Sequence, residues 1–415
     1  MYNIKFVEEH IQELKETSIK KGISLEFDYF IELNEERKSL KGRVDELHWI
    51  RNEKGKKVGE LKRRGEDPTE LIDELEDLKE GLTQLEQELK EIQKKVNDFI
   101  AWIPNLIHPS VRDEPIVVRE PTGIRDFSFK PLAHIELGES LGILDFEAAS
   151  RIAGSNFVLY KGKGAVLERA LVNFMLDLHI KRHQYTEIFP PFLANEESMF
   201  STGQLPKLRD DMYITERDGF FLNPTAEVPL TNILAGSILS PGDLPIKYCG
   251  YTACFRREAG SYGKETRGLL RVHQFNKVEL VNFVLPDESY PVLEDLLDEA
   301  LDVIKLLELP YRVIQLPFDD LSFASAKTYD IEIYAPGVDK WLEVSSVSNF
   351  EDFQAKRAEI RVRIEGETKP VHTLNASGVA TARLMVSLIE NYQTEEGEIE
   401  IPEPLLPYIN FEKIG

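Results

Sequence analysis

The stretch from Phe255 to Glu279 holds the residue types best suited to chemistry on a charged substrate. Arg256 and Glu258 share a parity in its first half. A strand places residues of one parity on one face. The stretch therefore predicts two antiparallel strands whose shared face could bind a phosphate, a purine and an ammonium group. In the second half one parity holds Arg271, His273, Phe275, Lys277 and Glu279.

A glycine-rich loop joins the two predicted strands. It runs from Gly260 to Gly268 and contains Lys264, Glu265 and Arg267. Charged loops on a rigid scaffold often handle ligands, which favours a binding site. The alternative is a sheet surface with salt bridges, because the same residue types would also form one.

Two further pairs of residues could bind substrate or metal. Thr225 and Glu227, within NPTAEVPL, could place a hydroxyl beside a carboxylate, although turns often contain such residues. Glu343 and Ser346 offer the oxygen donors that hard cations prefer. Their spacing puts them on opposite faces of a regular strand, so the strand must end or bulge near Ser345 for both to reach one ion. The alternative for Glu343 is an ordinary buried carboxylate.

The segment from His372 to Gln393 predicts a strand, a turn of small residues and a helix. Gly378 and Ala380 would let the start of the helix come close to a ligand. Arg383 falls in the first two turns, where the helix dipole disfavours a cation. An anion bound at the same place would explain the arginine, since helix starts and guanidinium groups both attract phosphate.

The N-terminal quarter carries a heptad pattern that predicts a long helix packed against another. Similar but less regular spacing from Phe30 to Leu61 provides the partner, and Gly65 and Pro68 predict the turn between them. We expect an antiparallel helical hairpin over about 28–100 that is roughly 50 Å long. The regular seam consists of Leu71, Leu75, Leu78, Leu82, Leu85, Leu89, Ile92, Val96 and Phe99.

The predicted turn end of this hairpin is basic, although the whole chain has a formal charge of −23. Between Arg51 and Arg64 only Glu53 and Glu60 oppose seven cationic residues. Positive charge at one end of an arm favours contact with a polyanion. The alternative is a coiled-coil face that carries many salt bridges. The cationic residues are Arg51, Lys54, Lys56, Lys57, Lys62, Arg63 and Arg64.

The 415 residues are enough for two domains with a sizeable core. The charged N-terminus does not resemble a signal or transit peptide, and no apolar run is long enough for a membrane span. The two cysteines, Cys249 and Cys254, cannot complete a structural zinc site without histidines at finger spacing, so we expect no zinc. We expect buried, reduced thiols in a cytoplasmic protein.

The stretch FRREAG followed by TRGLLRVHQFNKVE resembles motif 2 of the class II aminoacyl-tRNA synthetases, in the form of the seryl-tRNA synthetases. The helix predicted for 164–182 and the strand YTEIF resemble motif 1, which implies a homodimer. The segment 372–393 resembles motif 3, with Ala382 before Arg383 as a mild departure. The resemblance implies an α+β fold: a helical tRNA-binding arm over 1–100, a linker over 101–120 and an antiparallel-sheet catalytic domain over 121–415.

The resemblance also implies roles for single residues. Arg256 and Arg383 would be catalytic, Glu343 and Ser346 would hold Mg²⁺, and the seven cations of the arm would contact tRNA. Serine would be bound by Thr225, Ala226, Glu227, Arg256, Glu279 and Ser377. ATP would be bound by Arg256, Arg257, Glu258, Arg271, Val272, Phe275, Glu343, Val344, Ser345, Ser346 and Arg383.

The implied reaction activates serine with ATP and then transfers the seryl group to tRNA(Ser), and to tRNA(Sec) where the host has one. Three alternatives stay open. A threonyl or prolyl synthetase would carry an anticodon-binding domain after motif 3, but few residues follow Gln393. A carrier-protein ligase of the same fold would lack the arm. An inactive RNA-binding or scaffold homologue would be expected to lose Arg256, Glu279, Glu343 or Arg383.

Overall fold

The computed structural model describes residues 1–258 and 267–415. Within these residues the chain divides into two compact units, Tyr2–Pro104 and Asn105–Gly415. The division falls inside the segment 101–120 that the sequence predicts as a linker. No helix of the described residues combines the length and apolarity that a membrane crossing requires.

The smaller unit is helical and contains α1 (Ile4–Glu9), α2 (Ile11–Lys20), α3 (Phe27–Arg64) and α4 (Thr69–Ala101). His10 separates α1 from α2. The predicted hairpin is confirmed. Gly65 ends α3 with φ +73°, a left-handed conformation that glycine adopts at little cost. Leu82, Ile92 and Val96 of the predicted seam are buried.

The larger unit combines helices with a mainly antiparallel sheet. Its helices are α5 (His134–Ser140), α6 (Phe146–Ala153), α7 (Lys163–Lys181), α8 (Glu196–Ser201), α9 (Glu227–Asn232), α10 (Ser289–Leu306), α11 (Phe353–Ala358) and α12 (Thr381–Asn391). Its strands, in chain order, are β1 (Ile116–Thr122), β2 (Leu144–Asp145), β3 (Leu159–Tyr160), β4 (Thr186–Ile188), β5 (Leu193–Ala194), β6 (Phe221–Leu222), β7 (Ile238–Leu239), β8 (Ile246–Phe255), β9 (Gln274–Val284), β10 (Tyr311–Gln315), β11 (Lys327–Ala335), β12 (Lys340–Glu351), β13 (Arg361–Ile364), β14 (Glu367–Pro370), β15 (His372–Ala380), β16 (Ile399–Glu400) and β17 (Lys413–Ile414).

The main sheet of the described residues has the order β1-β10-β11-β12-β15-β9-β8-β4. All neighbours are antiparallel except β4 and β8. The predicted α+β fold with an antiparallel sheet is therefore confirmed. The two antiparallel strands predicted for the stretch from Phe255 to Glu279 are β8 and β9. Their register pairs Phe255 with Gln274. The order brings β9 beside β15, which leads into α12.

Helices α7, α10 and α12 supply much of the apolar core, together with the central strands. The cysteines Cys249 and Cys254 are buried and form no disulfide. The shared strand face predicted for Arg256 and Glu258 is wrong, because β8 ends at Phe255. Glu258 has φ +52°, which turns the chain away from the strand direction.

Candidate active site

Two arginines that the sequence assigns to phosphate binding face one cavity. Arg256 directly follows β8, and Arg383 is the third residue of α12. Both line a cavity of about 110 Å³ together with Phe275 and Glu343. The guanidinium carbon of Arg256 lies 5.3 Å from the centre of the Phe275 ring. The fold thus brings two cations and a flat aromatic ring to one opening.

The Arg383 guanidinium is held by backbone and side-chain acceptors. Its Nη1 donates to the carbonyl oxygen of Glu343 at 2.8 Å and to Glu343 Oε2 at 3.1 Å. Its Nε donates to the carbonyl oxygen of Leu270 at 3.3 Å. The Arg383 and Glu343 side chains are 34% and 45% exposed. Solvent weakens such a pair, so a bound phosphate can compete for the guanidinium.

Glu343 and Ser346 reach one face of β12 because the strand is irregular. Its pairing with β11 shifts by one residue at Val344. The Ser346 hydroxyl consequently lies 3.1 Å from Glu343 Oε1 and donates to it. The bulge that the sequence requires near Ser345 is therefore confirmed.

A third side chain with an oxygen donor lies beside this pair. Asp330 of β11 is opposite Ser346 in the strand register. Its Oδ1 is buried and has no hydrogen-bond partner among the residues that the structure describes. Two carboxylates and a hydroxyl are the oxygen donors that Mg²⁺ prefers. The residues present at this face therefore fit a hard cation.

A second cavity of about 420 Å³ adjoins the first and shares Arg256, Lys277 and Glu343 with it. It extends toward the threonine and glutamate of the NPTAEVPL segment. The polar side chains of this end are Thr225, Glu227, Lys277, Asn375 and Ser377.

Glu279 lies beneath this end of the second cavity and is completely buried. Its Oε2 accepts a hydrogen bond from Thr225 Oγ1 at 2.5 Å and pairs with Lys277 Nζ at 2.5 Å. Its Oε1 accepts from Asn375 Nδ2 at 2.7 Å. The three donors line the cavity, whereas the carboxylate stands behind them. A ligand hydroxyl that reaches Glu279 must therefore join or replace one of these donors.

Glu227 is the second buried carboxylate of this end. Its Oε1 accepts from Gln354 Nε2 at 2.6 Å. Burial, followed by the nearby charge of Glu279, raises the pKa of Glu227 to about 7. An ammonium group bound beside it would favour the ionised carboxylate.

The basic end of the hairpin forms a separate candidate site. Lys54 pairs with Glu74 of α4, and Lys56 pairs with Glu53. Lys57, Lys62, Arg63 and Arg64 are exposed, and within the described part of the chain no carboxylate lies within 4 Å of their charged groups. These four cations are available to a polyanion.

Comparisons with known proteins identify the family. The seryl-tRNA synthetase N-terminal domain matches residues 1–107, and the class II core domain of the G, H, P, S and T synthetases matches residues 212–392. The serine–tRNA ligase of Chloroherpeton thalassium is 48% identical, over 100% of both chains. That of Carboxydothermus hydrogenoformans is 47% identical, over 100% of this chain and 99% of its own. The chain belongs to the seryl-tRNA synthetase family.

Solved structures agree with this assignment. The seryl-tRNA synthetase of Pyrococcus horikoshii, complexed with ATP, superposes with a TM-score of 0.90 at 33% identity and covers 100% of this chain and 99% of its own. The cytoplasmic serine–tRNA ligase of Naegleria fowleri, in complex with AMP, gives a TM-score of 0.82 at 26% identity, over 97% and 95%. The fold of a seryl-tRNA synthetase thus extends over arm and catalytic unit.

Besides Glu279, three of the predicted binding residues lie outside the described lining of both cavities. The Arg257 guanidinium donates to the carbonyl oxygen of Asp210 at 3.2 Å. The Ser345 hydroxyl donates to the carbonyl oxygen of Ser377 at 2.6 Å. Ala226 packs in an apolar cluster.

The other predicted residues lie together. Glu258 and Arg271 line both cavities and form an ion pair with each other. Val272 and Val344 line the smaller cavity. Of the predicted loop, Lys264 and Glu265 lie outside the described residues. Arg267 and Gly268 are described, and Gly268 has φ +70°.

Four residues of the site were not assigned a role from the sequence. Asp330 lies opposite Ser346 in the register of β11 and β12, and no local pattern links it to the site. Lys277 shares the parity of Phe275 and Glu279, so alternation alone could have assigned it to this seryl-tRNA synthetase site. Asn375 and Gln354 reach the buried carboxylates from β15 and α11. No local pattern indicates them, because their partners are distant in sequence.

Proposed function

We propose that the chain activates L-serine with ATP, forming seryl-adenylate and pyrophosphate, and transfers the seryl group to the 3′-terminal adenosine of tRNA(Ser). A host tRNA(Sec) would be a further acceptor. The observation that carries the proposal is the cavity shared by Arg256 and Arg383, joined to a polar pocket above Glu279. Relatives named serine–tRNA ligase over the whole chain support it. An inactive homologue is not favoured, since Arg256, Glu279, Glu343 and Arg383 are all present.

The first step requires two anions to meet. The serine carboxylate attacks the α-phosphorus, and pyrophosphate leaves. Arg256, which lines both cavities, can neutralise both groups while negative charge builds on the α-phosphate. No side chain has to act as nucleophile. The rate would come from positioning and electrostatics.

ATP would bind at the smaller cavity. Phe275 offers an aromatic face for adenine, and Arg383 can contact the terminal phosphates. Glu343 and Ser346 would hold Mg²⁺, and the unpartnered Asp330 oxygen supports that fit. When bound, the ion would supply positive charge for the phosphates. Arg383 would exchange its exposed ion pair with Glu343 for contacts to the terminal phosphates.

Serine would bind at the larger cavity. Thr225 and ionised Glu227 would contact its ammonium group, and Glu279 and Ser377 would contact its hydroxyl. A site built to hydrogen-bond a hydroxyl can reject analogues without it by roughly 10⁴ or more. Threonine would have to be excluded by size, where one methyl group is worth only about 1–3 kcal/mol.

The arm and the dimer complete the proposal. The exposed cations of the hairpin end would contact the tRNA backbone. A homodimer would use the region of α7 and β4, where Phe189 directly follows β4 and is 78% exposed. The two buried free thiols are consistent with a cytoplasmic protein.

The test is pyrophosphate exchange measured with each of the twenty amino acids, first without tRNA. We expect exchange that depends on serine and Mg²⁺, with alanine and glycine inactive. Exchange with another amino acid would contradict the assignment to serine. Absence of any exchange would favour a non-catalytic homologue. Addition of tRNA(Ser) should then yield seryl-tRNA.

A further inference from the structure

A buried carboxylate on α7 joins the segments that form the nucleotide end of the cavity. Glu168 is only 6% exposed. Its Oε1 accepts hydrogen bonds from Asn276 Nδ2 at 2.7 Å and from Thr381 Oγ1 at 2.5 Å. Its Oε2 is buried without a hydrogen-bond partner among the described residues. One oxygen of a single side chain thus links α7, β9 and α12.

The first partner lies within the substrate-facing strand. Asn276 follows Phe275 and precedes Lys277 in β9, and both neighbours line the nucleotide cavity. Tyr251 donates its hydroxyl hydrogen to Asn276 Oδ1 at 3.0 Å. The amide can then present only its NH₂ group to Glu168. Fixing Asn276 in this way also fixes the strand that carries Phe275.

The second partner starts the helix of the phosphate arginine. Thr381 is the first residue of α12, two residues before Arg383. Just before it, the ladder between β15 and β9 is irregular, and Val379 has φ +115°. A β-branched residue at positive φ is strained, and such a conformation persists only where the surroundings hold it. The bond from Thr381 to Glu168 is a contact that can hold this junction.

The buried position of the Glu168 carboxylate costs desolvation free energy. Burial raises the pKa of Glu168, and the hydrogen bonds from Thr381 and Asn276 offset part of that effect. An apolar side chain of similar length would occupy the same place in α7 without desolvating a charge. What the carboxylate adds is its pair of hydrogen bonds to β9 and α12.

We propose that Glu168 is a positioning residue for ATP, which fixes the start of α12 against β9 so that Arg383 and Phe275 keep the separation that the nucleotide requires. This inference rests on the proposed function, because ATP is the ligand. Glu168 lies outside the described lining of both substrate cavities and lines a separate one of about 390 Å³ with Tyr251 and Asn276. It acts through its neighbours and does not touch the substrates.

The test compares Glu168→Met with Glu168→Gln in serine-dependent pyrophosphate exchange. The methionine variant loses both hydrogen bonds and should raise the KM for ATP about tenfold, with the KM for serine near the wild-type value. The glutamine variant keeps an acceptor oxygen and should restore most of the ATP affinity. A uniform rise of both KM values with a lower melting temperature would overturn the proposal, because it would indicate a scaffold role alone.

Thr381→Val removes the bond to Glu168 from the other side while it keeps the side-chain shape, and it also removes the hydrogen bond from Thr381 Oγ1 to the carbonyl oxygen of Asn276 at 3.1 Å. It should raise the KM for ATP, and the effect of the Glu168→Met/Thr381→Val double variant should be smaller than the sum of the two single effects. Thr231→Val is the matched control: Thr231 is fully buried, and its hydroxyl has no partner within the described chain. We expect it to leave the KM for ATP unchanged. Additive effects, or an unchanged KM in folded Glu168→Met, would refute the role.

Two outcomes keep this test separate from the proposed function. If Glu168→Met does not fold, Thr381→Val decides alone. If the wild-type protein shows no serine-dependent exchange, the proposed function fails, and direct titration with ATP still compares Glu168→Met with Glu168→Gln. Equal ATP affinity of the wild type and both variants would then reject Glu168 as a positioning residue.

Discussion

The two ends of the cavity hold their charges in different ways. At the end proposed for serine, Glu279 is fully buried and Lys277 is 8% exposed, and the pair is surrounded by further donors. At the end proposed for phosphates, Arg383 and Glu343 pair while 34% and 45% of their side chains are exposed. The first network is complete without substrate. The second is an open arrangement whose charges a ligand can take over.

This difference predicts different costs of substitution. A buried charge that loses its partner is strongly destabilising, because it can recover neither water nor its counter-ion. An exposed ion pair contributes about 0–1 kcal/mol and can be lost with little effect on folding. Changes at the serine end should therefore lower both stability and activity. Changes at the phosphate end should lower activity alone.

The largest effect is expected for Glu279→Ala. Loss of the carboxylate removes the proposed contact to the serine hydroxyl, so serine-dependent exchange should fall about 10⁴-fold or more. It also leaves the Lys277 ammonium without its counter-ion. The free energy of unfolding should fall by about 3–5 kcal/mol. Exchange kinetics and denaturant unfolding measure the two effects, and the variant is expected to stay folded. Near-normal exchange would contradict the assignment of Glu279.

A double variant separates the two effects of that substitution. Glu279→Gln/Lys277→Met replaces the buried ion pair with neutral side chains of similar size, which should recover much of the lost stability. It should not recover serine activation. Recovery of activity together with stability would mean that Glu279 serves only the packing of this end.

A smaller loss is expected for Arg383→Ala. Removing one charge that stabilises the transition state typically costs 10²–10³ in kcat, which is about 2.7–4 kcal/mol. The melting temperature should stay close to the wild-type value, because the pair with Glu343 is exposed. Arg383→Lys keeps the charge but not the planar guanidinium. Its kcat should fall between those of the wild type and Arg383→Ala. A melting temperature as low as that of Glu279→Ala would erase the proposed contrast between the ends.

The sequence predicts some parts of this molecule well because their signals are local. Leu82, Ile92 and Val96 lie in a repeat that specifies the hairpin over a few turns. Strand alternation places Phe275 and Glu279 on one face. The bulge at Val344 is expected from the sequence if Glu343 and Ser346 serve one ion, and the register of β11 and β12 contains that bulge.

Other parts depend on contacts that no local pattern encodes. Asn375 lies 96 residues from Glu279, and Asn276 lies 108 residues from Glu168, and only the strand order brings them together. The local sequence also gives no signal for the turn of the chain at Glu258, because a glutamate shows no preference for positive φ. Alternation therefore predicts which residues share a face, but not where a strand ends.

A pH effect of about tenfold per unit is expected at the serine end. The pKa of Glu227 is raised to about 7, so the carboxyl is protonated below that pH and cannot attract the ammonium group. The kcat/KM for serine should rise with pH up to about 7 and then level off. The kcat/KM of Glu227→Gln for serine should be low and nearly independent of pH across this range. An unchanged profile in that variant would assign the titration to another group.

The smallest effect on serine activation is expected from the arm. Arg63→Glu/Arg64→Glu reverses two exposed charges and should leave exchange unchanged, while tRNA charging weakens and its dependence on log salt becomes shallower by about 1 per lost phosphate contact. Lys94→Glu/Lys95→Glu is the matched control, because both lysines are exposed on α4 away from the basic end. The control should lose little charging at any salt concentration. Equal losses in the two double variants would indicate that net charge, rather than the position of the basic end, governs tRNA binding.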